Sequence, residues 1–506
     1  MRRISAVYSA LIVLAVTFSP LSSDNALAVV QDDWSTKISL GGSHTCAIRN
    51  DNSLWCWGLN GDGQIGNSNI QNQPCLYGAQ LFCQEAKGYA WSGIGAGSEH
   101  TCAIRSTNKS LWCWGRNNFG QLGNGLTSEA PNNTPQQIGS AAWSQVSAGD
   151  RYTCGIQTSG SLWCWGRNLS EKKMGGHLGI GSTSNKNIPT RVGVRNTWTS
   201  VATGALQTCG IQSLGTLWCW GRWGTNTSNA TAPVQVGSGS DWLRVSVGGN
   251  GNGVNHICGI KSIDQLYCFG WNTTGELGLG LYNAGNKTNP TRVGGAWSSI
   301  VTGDNHSCGI KGLQVLCWGD NQFGQLGTGD YEGQVKPTPE YTKGNWTALF
   351  ASFNHTCARK SDFSLWCWGN NTNSQLGRPP TVPEFTLPWD TYPAPLRSES
   401  YNSSRPSITG TAKVGQTLTA NDGTWAARPE PTIEYQWYSC TSPKAASYRT
   451  SISSGCSAIS GATGRRFTIP ATQVGKYILV RVTARQSVTK VNNNWAHSPT
   501  TVTVRK

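Results

Sequence analysis

Cysteine and histidine are the side chains of this sequence whose types and spacing could support chemistry. The chain has 18 cysteines, and most of them form pairs separated by nine to eleven residues. Tyr152 and Gln207 precede two of the pairs by two residues, and a histidine takes that place before five others: His44, His100, His256, His306 and His355. Thiols in such a setting could form disulfides, ligate zinc or act as nucleophiles.

The pattern disfavours zinc binding and catalysis. A structural zinc site needs four ligands, but the sequence has no C-x-x-C pair and one histidine in most repeated units. A catalytic side chain is needed once, in one asymmetric arrangement, and not in every repeat. G-x-S-x-G, H-E-x-x-H and phosphate-loop motifs are missing. We therefore predict a protein that is not an enzyme, with no catalytic residue, metal or cofactor, whose histidine rings hydrogen-bond turns of the scaffold.

The cysteine pairs define seven repeated units of roughly fifty residues. Apolar segments such as T-C-A-I and L-W-C-W flank a polar turn in each unit, which is the pattern of an antiparallel hairpin. If Cys46 lies opposite Cys56, the small Ala47 lies opposite a tryptophan, and most other units repeat this match. An even cysteine count in an exported chain favours disulfides over free thiols. We predict one disulfide per hairpin, in the pairs Cys46–Cys56, Cys102–Cys113, Cys154–Cys164, Cys209–Cys219, Cys258–Cys268, Cys308–Cys317 and Cys357–Cys367.

Both faces of each hairpin are apolar, so neighbouring units must cover both sides, as in a β-propeller. A strand with a tryptophan precedes each hairpin, and a GQLG-like turn follows most of them. We predict an all-β chain with a seven-bladed propeller over residues 29–398.

The units repeat two motifs, W-S-x-[VI]-x-x-G-x-x-H-[TS]-C-x-[IA] and L-W-C-W-G-x-N. Through these motifs they resemble the regulator of chromosome condensation repeat family, in its secreted bacterial form that includes β-lactamase inhibitory propellers. The fourth unit departs most, since R-W-G-T-N-T follows its hairpin without a GQLG turn.

The two ends of the chain predict export and a second domain. A basic start, an apolar run and an A-x-A site predict a signal peptide over residues 1–28, and no later run is long enough to span a membrane. Residues 399–506 alternate like short strands and resemble bacterial surface Ig-like domains, with Trp437 in the core. Two further disulfides are expected, Cys75–Cys83 in a loop of the first unit and Cys440–Cys456 in this domain.

The second domain is strongly basic. From Arg405 onward, thirteen basic side chains stand against three acidic ones, a net +10 within the total of +15. This excess favours an anionic wall polymer, glycan or lipid head group as a partner, while a merely soluble basic surface is the alternative. Export argues against nucleic acid.

Residues that break the repeat are the candidates for partner binding. Arginine, tyrosine and tryptophan are typical of protein-binding hot spots, although scattered loop decoration is the alternative. The candidates are Arg116, Arg151, Tyr152, Arg167, Arg222, Trp223 and Trp271.

The sequence predicts a secreted, monomeric, non-catalytic propeller that binds an unknown protein and associates with the cell envelope through its basic domain. Nucleotide exchange on a small GTPase is an alternative that the family resemblance implies, but a GTPase is cytosolic, whereas this chain is expected to be exported. Carbohydrate binding at the aromatic loops is a second alternative.

Overall fold

The computed structural model describes residues 34–66, 89–169, 174–223, 229–249, 253, 255–280, 285–328, 336–342, 345–377, 389–395, 401–404, 406–422, 424–426, 432–443, 447–448, 455–485 and 494–506. The predicted signal peptide, its cleavage site, the boundary at residue 398 and the pair Cys75–Cys83 lie outside these residues. The described chain is almost entirely β-structure, with two short 3-10 helices, Ser262–Asp264 and Ala471–Gln473.

The repeated unit is an antiparallel meander whose first three strands are described in every unit. Apolar and β-branched residues form the strands, and polar or glycine-containing turns end them. The strands of the seven units are β1 (Trp34–Leu40), β2 (His44–Arg49), β3 (Leu54–Gly58), β4 (Trp91–Ala96), β5 (His100–Arg105), β6 (Ser110–Asn117), β7 (Ser128–Ala148), β8 (Tyr152–Gln157), β9 (Leu162–Gly166), β10 (Lys186–Arg191), β11 (Trp198–Thr203), β12 (Gln207–Gln212), β13 (Leu217–Gly221), β14 (Ala230–Gln235), β15 (Trp242–Gly249), β16 (Asn255–Lys261), β17 (Gln265–Gly270), β18 (Lys287–Val293), β19 (Ser299–Thr302), β20 (His306–Lys311), β21 (Gln314–Gly319), β22 (Lys336–Thr342), β23 (Trp346–Ser352), β24 (His355–Lys360), β25 (Leu365–Asn370) and β26 (Trp389–Pro395).

One long strand joins two units. β7 closes the second unit and opens the third, so these two units form a seven-stranded sheet in the order β10-β9-β8-β7-β6-β5-β4. Units four to seven are four-stranded sheets of consecutive strands, and the described part of unit one is β1-β2-β3.

The hairpin register agrees with the prediction. Cys46 pairs with Cys56 and Ala47 with Trp55, and the other hairpins repeat this alignment. A disulfide joins the two central strands of all seven units, with the paired Cα atoms 4.1 Å apart. The predicted disulfides are therefore confirmed in these hairpins.

The small residue opposite the hairpin tryptophan is required by a second tryptophan. At Gly155, a Cβ would lie 2.8 Å from ring atoms of Trp143, which comes from the first strand of the same unit. Trp198, Trp242 and Trp297 crowd the equivalent glycines in the same way. In these four units the first tryptophan therefore packs against the hairpin in the space that the glycine leaves free.

The last unit contacts the first. Arg359 of β24 donates from Nε to the carbonyl of Trp34 at 2.7 Å, and Trp57 donates from Nε1 to the carbonyl of Gln375 at 3.0 Å. The first strand of every unit lines a central tunnel of about 220 Å³. The tunnel wall carries hydroxyl groups that bond between neighbouring strands, such as Ser147 with Thr203 at 2.8 Å.

The C-terminal region contains strands β27 (Tyr401–Ser404), β28 (Ser407–Thr409), β29 (Thr417–Asn421), β30 (Thr424–Ala426), β31 (Thr432–Cys440), β32 (Ser447–Tyr448), β33 (Cys456–Ala458), β34 (Arg466–Thr468), β35 (Tyr477–Arg485) and β36 (Asn494–His497). A three-stranded sheet, β28-β29-β34, and a five-stranded sheet, β32-β36-β35-β31-β33, contribute to one core around Trp437, which is fully buried as expected. The Cys440–Cys456 disulfide joins β31 and β33 within the larger sheet. The Ig-like assignment itself stays a prediction.

Candidate functional site: the loop face of the ring

Neighbouring units are joined by a repeated set of three hydrogen bonds. At the first junction, the Thr101 hydroxyl and the Trp114 indole both donate to the carbonyl of Gln64, at 2.8 and 2.9 Å. His44 Nε2 lies 2.8 Å from the same hydroxyl, so the ring donates to it. The turn carbonyl belongs to one unit and both of its donors belong to the next.

The histidines are therefore scaffold residues that act between units. His100, His256, His306 and His355 make the same bond to a Thr or Ser hydroxyl of the next unit. The prediction that each ring would bond a turn is wrong in detail, because the hydroxyl lies between the ring and the turn carbonyl. Burial lowers the pKa of His100 to about 3, so the ring is neutral.

The junction between units four and five is different, and its changes match one another. Asparagine in the other units anchors the GQLG-like turn, but unit four has Trp223 at this position, and its sequence contains no GQLG-like motif. Unit five has Ile257 and Phe269 where its neighbours have the hydroxyl and indole donors. Trp223 packs edge-on against Phe269, with ring centroids 6.3 Å apart. Apolar side chains thus replace the two donors in unit five, and one of these side chains contacts Trp223 of unit four.

The repeat-breaking candidates meet on one side of the ring, which we call the loop face. It carries the turns between the first and second strands and the loops that follow the third strands. The backbone of each loop bonds to a turn of the same unit, as in Arg116 N to Glu99 O and Arg167 N to Arg151 O, both at 2.9 Å. Arg222 and Trp271 make the equivalent bonds to Leu206 and Asn255, and all lie at corresponding positions in successive units.

Three of the predicted arginines, Arg116, Arg151 and Arg167, form an arc on this face, which we call the arginine arc. Glu99 links two of them, with its Oε2 atom 3.2 Å from Arg116 Nη1 and 4.0 Å from Arg151 Nε. Asp62 lies 3.7 Å from Arg116. Burial raises the pKa of Glu99, against the opposing effect of the two guanidinium groups.

The other end of the arc is built on Asp150 and Phe119. Arg167 Nη1 lies 3.9 Å from Asp150 Oδ2, and Ser98 donates its hydroxyl to Asp150 Oδ1 at 2.5 Å. The guanidinium carbons of Arg151 and Arg167 lie 5.5 and 5.1 Å from the ring centre of Phe119. The arc is a partly exposed set of alternating charges around one aromatic ring.

The remaining candidate residues do not belong to the arginine arc. Tyr152 is fully buried in the position of the scaffold histidines, where its hydroxyl donates to the carbonyl of Gln207 at 2.7 Å. The side chain of Tyr152 therefore offers no exposed surface for the partner contact predicted from the sequence. Trp223 has a packing role at the junction, and Arg222 contacts Met174 through its guanidinium group. Trp271 is half-buried on the loop face.

The mouth of the tunnel opens on the loop face and contains acidic residues that the sequence analysis missed. Asp150, Asp304 and Phe353 line a space of about 40 Å³ there, together with tunnel hydroxyls such as Thr302. Burial, and secondly the charge of Asp150, raises the pKa of Asp304 to about 7. The sequence signal was a G-D dipeptide that stands directly before Arg151-Tyr152 and Asn305-His306, and at this position of the unit it occurs in two units only.

The described residues include no group of three or more His, Cys, Asp or Glu side chains that could hold a metal ion. No helix in the described part of the chain is long and apolar enough to cross a membrane.

Comparison with known proteins identifies the repeats. Two sequence profiles of the Regulator of chromosome condensation (RCC1) repeat match residues 36–64, 91–121, 143–170 and 346–375 in one case and 51–104, 109–156, 264–310 and 314–359 in the other. The chain is 28% identical over 256 residues to the Ultraviolet-B receptor UVR8 of Arabidopsis thaliana, covering 48% of this chain and 54% of UVR8. It is 27% identical over 287 residues to the E3 ubiquitin-protein ligase HERC2 of Homo sapiens, covering 53% of this chain and 6% of HERC2. The chain thus spans about half of UVR8 and a small part of HERC2.

Solved structures agree on the fold. Prp20p of Saccharomyces cerevisiae, described with its binding properties to Gsp1p and histones, matches with a TM-score of 0.57 and 16% identity, over 70% of this chain and 89% of Prp20p. Human WBSCR16 matches with a TM-score of 0.55 and 18% identity, over 66% of this chain and 89% of WBSCR16. The chain therefore carries repeats of the regulator of chromosome condensation family in an all-β fold like that of these propellers.

Proposed function

We propose that this chain is a secreted, non-catalytic, seven-bladed propeller that binds a protein partner on its loop face. The observation that carries the proposal is the arginine arc, in which repeat-breaking residues from neighbouring units converge on one surface. Partly exposed ion pairs of this kind contribute at most about 1 kcal/mol each to stability. Stability alone therefore gives no reason to concentrate three arginines in this arc, two of them beside Phe119, whereas arginine and aromatic groups are enriched in binding hot spots.

The disulfides support the extracellular part of the proposal. All seven hairpins carry one, and the described residues contain no free cysteine. Disulfides persist in oxidising compartments and are rare in the cytosol. Nucleotide exchange on a cytosolic GTPase is the less favoured alternative for this reason, although the fold family includes proteins that bind small GTPases.

The test compares retention of one partner by three forms of the full chain. We expect immobilised wild-type protein to retain a defined protein from the extracellular fraction of its source. The Arg116→Ala/Arg167→Ala variant should lose it, whereas Lys109→Glu, at a hairpin tip on the opposite side of the ring, should keep it. The retained protein is then purified and titrated calorimetrically against all three forms.

Each other result contradicts the proposal in a distinct way. Equal affinity of all three forms would show that the loop face is not the binding surface. Retention of glycans alone would favour carbohydrate binding, and accelerated nucleotide release from a retained GTPase would favour exchange. Retention of no macromolecule by the wild type would remove the binding role.

We further propose that the basic C-terminal region holds the protein at the cell envelope. The backbone of Lys413 forms a β-bridge with that of Arg505. The carbonyl of Lys476 accepts a hydrogen bond from the backbone N–H of Val504, the neighbour of Arg505, so several cationic residues share one edge. Purified wall teichoic acid should bind the full chain in a salt-dependent way. The Lys413→Glu/Arg505→Glu variant should bind it less tightly, while Lys109→Glu should not change binding. Equal binding by all forms would contradict this assignment.

A further inference from the structure

The tunnel mouth combines the features of a small cation site. Asp150 and Asp304 come from units three and six, and both line the same space of about 40 Å³. This space accommodates the end of one side chain and not a drug-sized ligand, whose pocket would be several hundred Å³. The hydroxyl-lined tunnel of about 220 Å³ continues below it.

The two carboxylates differ in the hydrogen bonds and ion pairs that they form with other described side chains. Asp150 accepts from Ser98 and lies within 3.9 Å of Arg167. The carboxylate of Asp304 forms no ion pair or hydrogen bond with another described side chain, and only its backbone N–H is engaged, by the carbonyl of Phe353 at 2.9 Å. A partly buried carboxylate without a cationic neighbour gains most from a cation supplied by a ligand.

Phe353 adds an aromatic surface at the same place. It follows the position where the other units have glycine, and its φ is 45°. A bulky residue in this left-handed region is uncommon and strained, so the surrounding structure must hold it in place. Aromatic rings attract cations through their faces. Two carboxylates and one aromatic residue thus line a single opening.

We propose that this mouth binds an organic ammonium group, and that its occupant in a complex is a lysine side chain of the protein partner. An ammonium group suits the opening because it is compact and carries three donors for the carboxylates and the adjacent hydroxyls. The lysine assignment rests on the function proposed above, whereas ammonium binding by the mouth does not require any partner.

The probes are N-acetyl-lysine amide, n-butylammonium and the neutral n-butanol, each titrated into the full chain by saturation-transfer difference NMR. Both ammonium compounds should bind in the millimolar range, and n-butanol should not. N-acetyl-arginine amide should bind more weakly than the lysine compound because the planar guanidinium group is larger. Comparison of the two ammonium compounds separates a free amine from an amine carried on a peptide.

Variants then locate the site. Asp304→Asn should weaken binding of N-acetyl-lysine amide by at least about tenfold because it removes the charge that lacks a protein partner. Phe353→Leu should weaken it by about two- to fivefold, the size of a typical cation–aromatic contribution. Asp51→Asn is the matched control, since Asp51 is an exposed acidic residue at a hairpin tip on the opposite side of the ring, and this variant should bind as the wild type does.

The outcomes separate the two proposals. Equal binding by wild type and Asp304→Asn, equal signals from n-butanol, or no saturation transfer from either ammonium compound would each overturn the mouth as a cation site. Ammonium binding with no loss of partner affinity in Asp304→Asn would keep the site and reject the partner lysine. Near-ultraviolet circular dichroism of each variant shows that its fold is retained.

Discussion

Acidification should destabilise the ring steeply, because six described histidines are buried and neutral. Burial lowers the pKa to about 3 for His44, His100, His306 and His355, and to about 4 for His177 and His256. In the unfolded chain these groups titrate near 6.5. The unfolded state therefore binds more protons below pH 6.5, so the free energy of unfolding falls as the pH falls from 6.5 toward 4. Above that range the histidines contribute their full stabilisation.

The size of the effect follows from linkage. Between pH 7.5 and pH 5.5, one histidine that stays neutral in the fold and has a pKa of 6.5 when unfolded costs about 1.4 kcal/mol. Six such groups cost about 8 kcal/mol. Asp304 acts in the opposite direction, because its pKa is raised to about 7 and the fold takes up a proton in this range. This offsets about 2 kcal/mol. The raised pKa values of Glu99 and Asp320 act in the same direction, so the net loss is at most about 6 kcal/mol, comparable to the whole stability of many domains.

Urea unfolding at pH 7.5, 6.5 and 5.5 measures this loss, with hydrogen exchange of peptides from β2, β5 and β20 to assign the transition to the ring. His100→Gln is the matched variant, because Gln207 occupies the same position in unit four and donates to the carbonyl of Gly248 at 2.6 Å. The variant should lose about 1.4 kcal/mol less than the wild type over the same range. A wild-type loss below about 2 kcal/mol, or identical losses in both proteins, would refute the reasoning that the buried rings stay neutral.

Three further changes test the packing. Ile257→Thr adds a hydroxyl to the apolar cluster that contains Phe269 and Trp223, so urea unfolding should show a loss of about 1–3 kcal/mol. An unchanged or higher stability would contradict the apolar packing of this junction. Gly155→Ala places a Cβ 2.8 Å from the Trp143 ring and should lower the free energy of unfolding by about 1–3 kcal/mol. Gly61→Ala has open space around it and should be nearly neutral. Similar losses of stability in both variants would be inconsistent with the packing. Cys102→Ala/Cys113→Ala should lower the stability by about 3 kcal/mol in the same assay, and an equal unfolding midpoint would show that this bridge constrains little.

The sequence predicts the hairpins well because their determinants are local. Cys46 and Cys56 are close along the chain, and strand alternation alone sets Ala47 against Trp55. The hairpin sequence only partly explains why Gly155 must be small. The ring that excludes a larger side chain there belongs to Trp143, which lies on a third strand. Residue pairs on adjacent strands are thus more predictable than the packing of the layer above them.

The candidate site is harder to predict because it depends on which positions converge around the ring. Asp150 and Asp304 are far apart in sequence, and they share one opening only because both follow the first strand of their units. A tyrosine beside a turn suggests exposure, whereas the place of Tyr152 in the unit is that of a buried histidine. Alignment of the units to one another, position by position, carries the missing information.

The junction between units four and five shows how to separate structural departures from functional ones. Trp223, Ile257 and Phe269 each break the repeat, yet together they form an apolar cluster where other junctions have a hydroxyl and an indole donor. A departure that the scaffold requires is therefore accompanied by compensating changes in the neighbouring unit. Arg116 and Arg167 replace loop residues without altering the three junction bonds of their units, which stay intact at Gln64 and Gln121. The junction bonds therefore do not depend on these arginines, and this independence supports the partner-binding role proposed for the loop face.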